Sequence, residues 1–223
     1  MSWTLYRHYK GNHYLRLGVA AHSEDLSPHV VYRCLYDNPE ARTWVRPQGM
    51  FEETLEDGRP RFTPVARVRL VQPEDNPVVL AFGYDAWGEG KTLPDFISGY
   101  EQSRNHQRGT RYLLETLEGV PVAGLNTLRF RRGLMGLASV ATDPLQRGKG
   151  YSALLVRAVM ELLRFSHGDL RFLLFSEVPP SVYERLGFRV LPPEHQRFLP
   201  SEAMATGDMP LSEEEAEPLK TYF

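Results

Sequence analysis

The sequence predicts an α/β (α+β) protein in which a small antiparallel β-rich segment precedes a longer part that mixes strands with helices. Three observations carry that prediction. Residues 5–9, 14–21, 30–36 and 43–46 are rich in the aromatic and branched side chains that suit a pleated, half-buried surface. Residues 111–117, 120–130 and 134–142 read as three consecutive strands with turns at Glu118-Gly119 and Arg131-Arg132-Gly133. An amphipathic run over 153–165 follows, with Leu154, Leu155, Ala158, Val159, Leu162 and Leu163 at helical spacing.

In the front segment, Lys10-Gly11-Asn12 suits a hairpin turn, because glycine and asparagine tolerate positive φ. Residues 53–60 are charged, turn-rich and free of an apolar repeat, so they read as a connector between units at 1–63 and 64–223. On that division, a fragment from residue 64 onward should fold and keep its ligand. Beyond the connector, residues 65–71 alternate as a strand, and 78–87 and 94–102 read as two short helices. The helix over 153–165 stops at Ser166-His167-Gly168. Residues 171–175 form a buried strand, 181–186 a short helix closed by Gly187, and 188–191 another strand. The tail over 201–223 sets six acidic side chains against Lys220, the pattern of a solvated segment.

Composition narrows the class. With 223 residues, 42% hydrophobic and 24% charged, the chain is ordinary globular material that should bury roughly 70% of its unfolded surface. A net charge of −2 argues against nucleic-acid binding. No apolar run approaches the roughly 20 residues of a membrane span, and residues 1–6 carry no signal-peptide core. A lone Cys34 forms no internal disulfide, so cytoplasm is the expected compartment. No metal is called for.

The most informative stretch is Arg147-Gly148-Lys149-Gly150-Tyr151-Ser152, between a strand and a helix. Glycines let backbone approach a ligand, the first helical N–H groups lack partners, and the helix dipole favours phosphate oxygens. Two phosphate templates fail on spacing. The nucleotide-binding pattern Gly-x-x-x-x-Gly-Lys-Ser/Thr needs glycine where Asp143 stands, and Gly90-Lys91-Thr92 would need it at Asp85. The dinucleotide pattern would need glycine at Ala153.

Arg-x-x-Gly-x-Gly/Ala after a strand remains, and this part of the chain resembles the GNAT superfamily of acyl-CoA-dependent N-acyltransferases. Val140-Ala141-Thr142-Asp143-Pro144 resembles the end of that family's fourth strand, and Ser181-Val182-Tyr183-Glu184-Arg185-Leu186-Gly187-Phe188 resembles its aromatic helix ending in Leu-Gly-Phe. Ser152 departs from the pattern at the last glycine or alanine position. It either crowds a pyrophosphate or donates a hydroxyl hydrogen bond, and is read as tolerated. The resemblance implies a mixed central sheet with helices on both faces, and acetyl-CoA as cosubstrate held by Val140, Ala141, Thr142, Arg147, Gly148, Lys149, Gly150, Tyr151 and Ser152. It further implies that Tyr183 protonates the departing thiolate.

The front segment has its own resemblance. His8-Tyr9-Lys10-Gly11-Asn12-x-Tyr14, Ala21-His22-Ser23-Glu24, Val31-Tyr32-Arg33-x-Leu35-Tyr36 and Trp44-Val45-Arg46-Pro47-x-x-Met50-Phe51 resemble a short bacterial domain family of unknown function over residues 4–63. Its aromatics either form a recognition surface or fill a core too small to build from aliphatics.

For the general base, Glu115, Asp143 and His106 are candidates, with Glu115 carried as the catalytic choice; for each, a solvated surface group is the plainer reading. Ser176-Glu177 departs from the resembled family, many of whose members carry asparagine after the fifth strand to contact the acceptor; Glu177 is a candidate site residue. Trp87, Tyr84, Phe96 and Tyr100 either line an acceptor pocket or pack as core. Three functions compete: an N-acetyltransferase acting on a small-molecule or peptide amine, a non-catalytic acyl-CoA sensor, and a front-segment binding module that recruits the acceptor. Assembly as a homodimer stays open.

Overall fold

Alternating side chains organise the front of the chain. The computed structural model describes residues 2–131 and 133–223; Met1, and Arg132 in the turn expected at Arg131-Arg132-Gly133, lie outside the described residues. Strands β1 (Ser2–His8) and β2 (His13–Ala21) form the expected hairpin, with Gly11 at φ +100° in its turn. Leu5 opposes Leu15 and Tyr6 opposes Tyr14, so the two-residue period sends leucines to one face and tyrosines to the other. Strands β3 (Pro28–Cys34) and β4 (Thr43–Pro47) extend the meander. A short helix that the sequence did not suggest, α1 (Gln48–Phe51), folds Phe51 onto the tyrosine face. There it stacks on Phe62 with ring centroids 4.1 Å apart, beside buried Val30 and Tyr32. These aromatics are core.

Residues 53–60 fold as a tight loop, in which Leu55 N–H donates to the Arg59 carbonyl (2.8 Å) and Gly58 N–H to the Leu55 carbonyl (2.9 Å). Strand β5 (Phe62–Leu70) follows, starting three residues earlier than expected, and pairs with β1 on one side and β6 (Thr110–Glu115) on the other. The division at 63/64 therefore falls inside a strand. Four helices intervene between β5 and β6: α2 (Asn76–Ala81), α3 (Tyr84–Trp87), α4 (Leu93–Glu101) and α5 (Arg104–Arg108). The single helix expected over 78–87 is two, broken at Gly83. Its missing Cβ leaves room for the Trp87 ring, and any side chain there would meet that ring.

Strands β7 (Pro121–Arg131) and β8 (Leu134–Thr142), helix α6 (Tyr151–His167), strand β9 (Arg171–Ser176), helix α7 (Ser181–Glu184), strands β10 (Phe188–Val190) and β11 (Glu202–Thr206), and helix α8 (Glu213–Ala216) complete the chain. The described residues form one sheet in the order β10-β11-β9-β8-β7-β6-β5-β1-β2-β3-β4. It is mixed as expected: β8 and β9 pair in parallel and the other neighbours antiparallel. The tail corrects the sequence reading. Far from being solvated throughout, it supplies β11, with Ala203, Met204 and Ala205 fully buried, and buries Leu219 as well.

Helix α6 joins the two units. Its buried face includes Leu155, Val159 and Leu162, which share one core with Leu5, Leu15 and Leu35 of the front segment, each such side chain contributing roughly 1.5–3 kcal/mol on burial. Within that face lies a charge. Glu161 is 6% exposed; its Oε2 accepts from Arg33 Nε (3.0 Å) and Nη2 (2.6 Å), and its Oε1 from Arg42 Nη1 (3.1 Å) and Arg164 Nη1 (2.8 Å). A fragment of residues 64–223 would keep Glu161 and lose Arg33, Arg42 and the β1 partner of β5. It is expected to unfold at a lower temperature than the full chain, measurable by calorimetry; an equal midpoint would show that the front strands add nothing to the rear core.

Candidate functional site

A break in strand pairing opens the site. Strands β8 and β9 pair only where Leu134, Met135 and Gly136 meet Arg171, Phe172 and Leu173. Beyond Gly136 the two strands have no shared ladder. On its other edge β8 slips register against β7 between Ala138 and Ala141, with Ser139 at φ +52°. This is a bulge, and it leaves backbone groups of Ser139 and Val140 outside regular pairing. Together these departures create a cleft of about 750 Å³, walled by β8 residues 138–142 on one side and by Leu174, Phe175 and Tyr183 on the other.

The glycine turn sits at one end of the cleft. Gly148 and Gly150 both adopt φ +79°, and an added Cβ at either would meet nothing within 4 Å, so the backbone there is open to an approaching ligand. Gly150 caps α6, and the Leu154 N–H makes the first helical bond back to the Gly150 carbonyl (3.0 Å). The N–H groups of Tyr151, Ser152 and Ala153 precede that bond and face the anion-favouring end of a 17-residue helix.

Eight of the nine residues expected to hold acyl-CoA line the cleft: Val140, Ala141, Thr142, Arg147, Gly148, Gly150, Tyr151 and Ser152. Lys149 is the exception; it is exposed, and its Nζ donates to Gln146 Oε1 (2.7 Å). Arg147 is occupied too. Its two terminal nitrogens donate to Asp85 of α3 at 2.6 and 2.8 Å, and one also to the Phe82 carbonyl (3.2 Å). The bonded guanidinium holds the Asp85 carboxyl below its ordinary range.

Tyr183 reaches the cleft wall from α7, its ring 5.8 Å from that of Phe188. Burial, with the Glu177 charge adding to it, pushes its hydroxyl up to about 12. It therefore keeps its proton throughout the neutral range. Glu177 itself joins distant parts of the chain: its Oε2 accepts from Trp87 Nε1 (2.5 Å) and its Oε1 from the Tyr222 hydroxyl (2.6 Å).

The structure does not bring the base candidates to this cleft. Glu115 is buried at the end of β6, where Arg69 Nε donates to Oε2 at 2.8 Å and Arg67 lies 3.9 Å from Oε1. Both oxygens are engaged by cations on the neighbouring strand, and Glu115 is not among the cleft-lining residues. Asp143 accepts from the Leu145 N–H (3.0 Å) and caps the turn before Arg147. His106 is buried in α5, a correction to the exposed position expected; burial, then Arg111, pushes its pKa down, and its Nδ1 has no partner among the described residues. Of the proposed acceptor-pocket aromatics, Trp87 and Tyr100 line the cleft, whereas Phe96 is buried outside it.

Sequence reasoning missed Ser139, Tyr222 and Phe223 as cleft residues, and Asp85 as the partner of Arg147. Tyr222 and Phe223 arrive from the tail: Tyr222 stacks on Phe175 with centroids 4.9 Å apart, and the Phe223 ring packs against Phe175 at a tilt, 5.0 Å away. Among the described residues, no group of three or more His, Cys, Asp or Glu side chains is placed to hold a metal ion, and no helix is long and apolar enough to cross a membrane.

Comparison with known proteins follows the same division. Residues 4–64 match the family model described as a protein of unknown function, DUF1653. A solved protein of that family from Bordetella bronchiseptica is 40% identical over 26% of this chain and 80% of its own, with a TM-score of 0.26. A chimeric spermidine N-acetyltransferase built in part from Vibrio cholerae is 12% identical over 62% of this chain and 94% of its own, with a TM-score of 0.50. A GNAT family N-acetyltransferase from Escherichia coli, solved with CoA, is 18% identical over 64% of this chain and 81% of its own, with a TM-score of 0.49. No curated protein matches the sequence. Residues 4–64 carry the DUF1653 family pattern, and the remainder of the chain has the fold of the GNAT acetyltransferases.

Proposed function

We propose that the protein transfers an acetyl group from acetyl-CoA to an amine. The observation that carries this reading is the convergence on one cleft of the splayed β8/β9 edge, the glycine turn that opens α6, and a protonated tyrosine. The residues fit acetyl-CoA. The open backbone at Gly148 and Gly150 with the first N–H groups of α6 suits a pyrophosphate, and the unpaired edge at 138–142 offers an extended amide arm a strand to align with.

Bound acetyl-CoA would supply an activated acyl carbon. This chain would do the rest. Backbone N–H groups at the Ser139–Val140 bulge are suited to polarise a carbonyl, and Tyr183 to donate a hydrogen bond where thiolate charge develops. Arg147 would have to leave Asp85 to meet a phosphate. An exposed pair of this kind is worth about 0–1 kcal/mol, so the competition is mild.

Two measurements test the reading. Acetyl-CoA at about 100 times its Kd should stabilise the fold by about 2.7 kcal/mol, which raises the thermal midpoint by roughly 5 to 11 °C in a chain of this size. Arg147→Glu should remove most of that rise, while Asp85→Asn, which frees the guanidinium, should tighten binding by up to about 5-fold. An unchanged rise in Arg147→Glu would sink the phosphate assignment. Free-thiol release with acetyl-CoA and a panel of primary amines then tests the chemistry; silence across the panel would overturn it.

A further inference from the structure

Glu177 lines the cleft just past the end of β9, and its surroundings are aromatic. Trp87, Tyr100, Phe175, Tyr222 and Phe223 line the same cleft. The carboxylate is fixed from two sides, by the Trp87 indole N–H at 2.5 Å and the Tyr222 hydroxyl at 2.6 Å. Tyr222 is itself held by its stack on Phe175 and by Phe198, whose centroid is 5.5 Å away. Groups from α3, from the end of β9 and from the tail thus hold one negative charge in one orientation.

A carboxylate offers about four lone-pair sites, and the two bonds described fill one on each oxygen. What remains is an anionic acceptor on each oxygen beside ring faces, the arrangement that attracts an ammonium through Coulomb attraction and cation–π contact. Arg147 lines the same cleft from the glycine turn, and Glu89 adds a second carboxylate to its lining. The Glu177 charge also opposes ionisation of its tyrosine neighbours: burial first, then Tyr222 and Glu177, push Tyr100 up to about 12.

Resting on the acyltransferase reading, we propose that the acceptor end of the cleft is a cation site, with Glu177 as counter-ion and Trp87, Tyr100 and Tyr222 as its walls. The acceptor is an aliphatic amine that carries a second, permanently protonated ammonium group. That second charge is required by the chemistry. An ammonium paired with Glu177 is held protonated and cannot attack, so the anchored nitrogen and the reacting nitrogen are different atoms. Acceptors bearing a carboxylate at that position are rejected by like charge.

The test is calorimetric titration of 1,6-diaminohexane and 6-aminohexanoate into the protein, alone and with saturating CoA. The diamine should bind, and Glu177→Gln, whose amide oxygen can accept from Trp87 while its NH2 donates to the Tyr222 hydroxyl, removes the charge and should weaken binding at least about 10-fold. Tyr222→Phe, which frees one oxygen from its tether, should weaken it less. The carboxylate-bearing analogue should bind more weakly than the diamine. Absence of diamine binding, equal binding to Glu177→Gln, or equal binding of 6-aminohexanoate would each overturn the cation site. Failure of the acyltransferase reading shows separately, as an acetyl-CoA thermal shift that is missing while Glu177-dependent diamine binding persists.

Discussion

Tyr183→Phe is expected to preserve acetyl-CoA binding and to lower turnover by roughly 10²-fold. The hydroxyl is pushed up to about 12 by burial and by Glu177, whereas an ordinary thiol titrates near 8.5. Full proton transfer from Tyr183 to a thiolate is therefore uphill by roughly 3 to 4 pKa units, or about 5 kcal/mol. Donation of a hydrogen bond carries no such penalty. A bond to a charged partner is worth about 1.5–3 kcal/mol, roughly 10- to 150-fold in rate, at or below the lower end of the 10²- to 10⁴-fold typical of a positioned general acid. The ring is retained in phenylalanine, so its packing near Phe188 should survive. Turnover at saturating acetyl-CoA between pH 6 and 10 decides the matter: equal values for parent and variant would remove Tyr183 from the chemistry, and a lost acetyl-CoA thermal shift would assign it to packing. Since the hydroxyl titrates above that pH range, the ratio of the two rates should stay flat across it.

Glu161→Leu should be the most damaging single change to stability. It strips Arg33, 7% exposed, of the carboxylate that two of its nitrogens contact. An uncompensated buried charge costs about 3–5 kcal/mol, a large share of the 5–15 kcal/mol typical of a whole domain, and should lower the midpoint by roughly 6 to 20 °C. The reverse change is gentler. Arg33→Met leaves Glu161 with Arg42 and Arg164, so the carboxylate stays compensated, and the double variant should recover part of the loss. Acid supplies a second signature. Burial alone would raise the Glu161 carboxyl, but bonds from Arg164 and Arg33 outweigh it and hold the pKa below the ordinary glutamate value. A lowered folded pKa gives stability that is present above the unfolded value, near 4.3, and is lost as pH falls through the folded value. The parent midpoint should thus fall more steeply below about pH 4 than that of Glu161→Gln. Parallel curves for the two would refute the linkage.

The legible parts of the site were local in sequence. Gly148 and Gly150 line the cleft where they stand, because a glycine turn opening a helix leaves its first N–H groups open without help from distant residues. Tyr183 was legible through its neighbours Leu186-Gly187-Phe188. The illegible parts depend on contacts between remote segments. Nothing in residues 134–142 marks Ser139 as the bulge, since the slip is a property of the β7/β8 pairing. Glu115 looked free as a base until β5 placed Arg67 and Arg69 beside it. The acidic tail hid β11, because Ala203, Met204 and Ala205 are too few to signal a strand. It hid Tyr222 as well, whose role exists only through Glu177, 45 residues earlier.

The unbroken sheet also sets a ruler. From β8, which walls the cleft, to β4 at the far edge there are seven strand steps, each about 4.8 Å, or at most about 34 Å along the sheet. An extended polypeptide advances about 3.3–3.6 Å per residue. A chain gripped at the β4 edge would need roughly ten extended residues to deliver an amine into the cleft, whereas a free diamine would gain nothing from that grip. The front segment is fixed at this distance by hydrogen-bonded ladders and not by a flexible tether, so the separation between the β4 edge and the cleft is a constant of the fold.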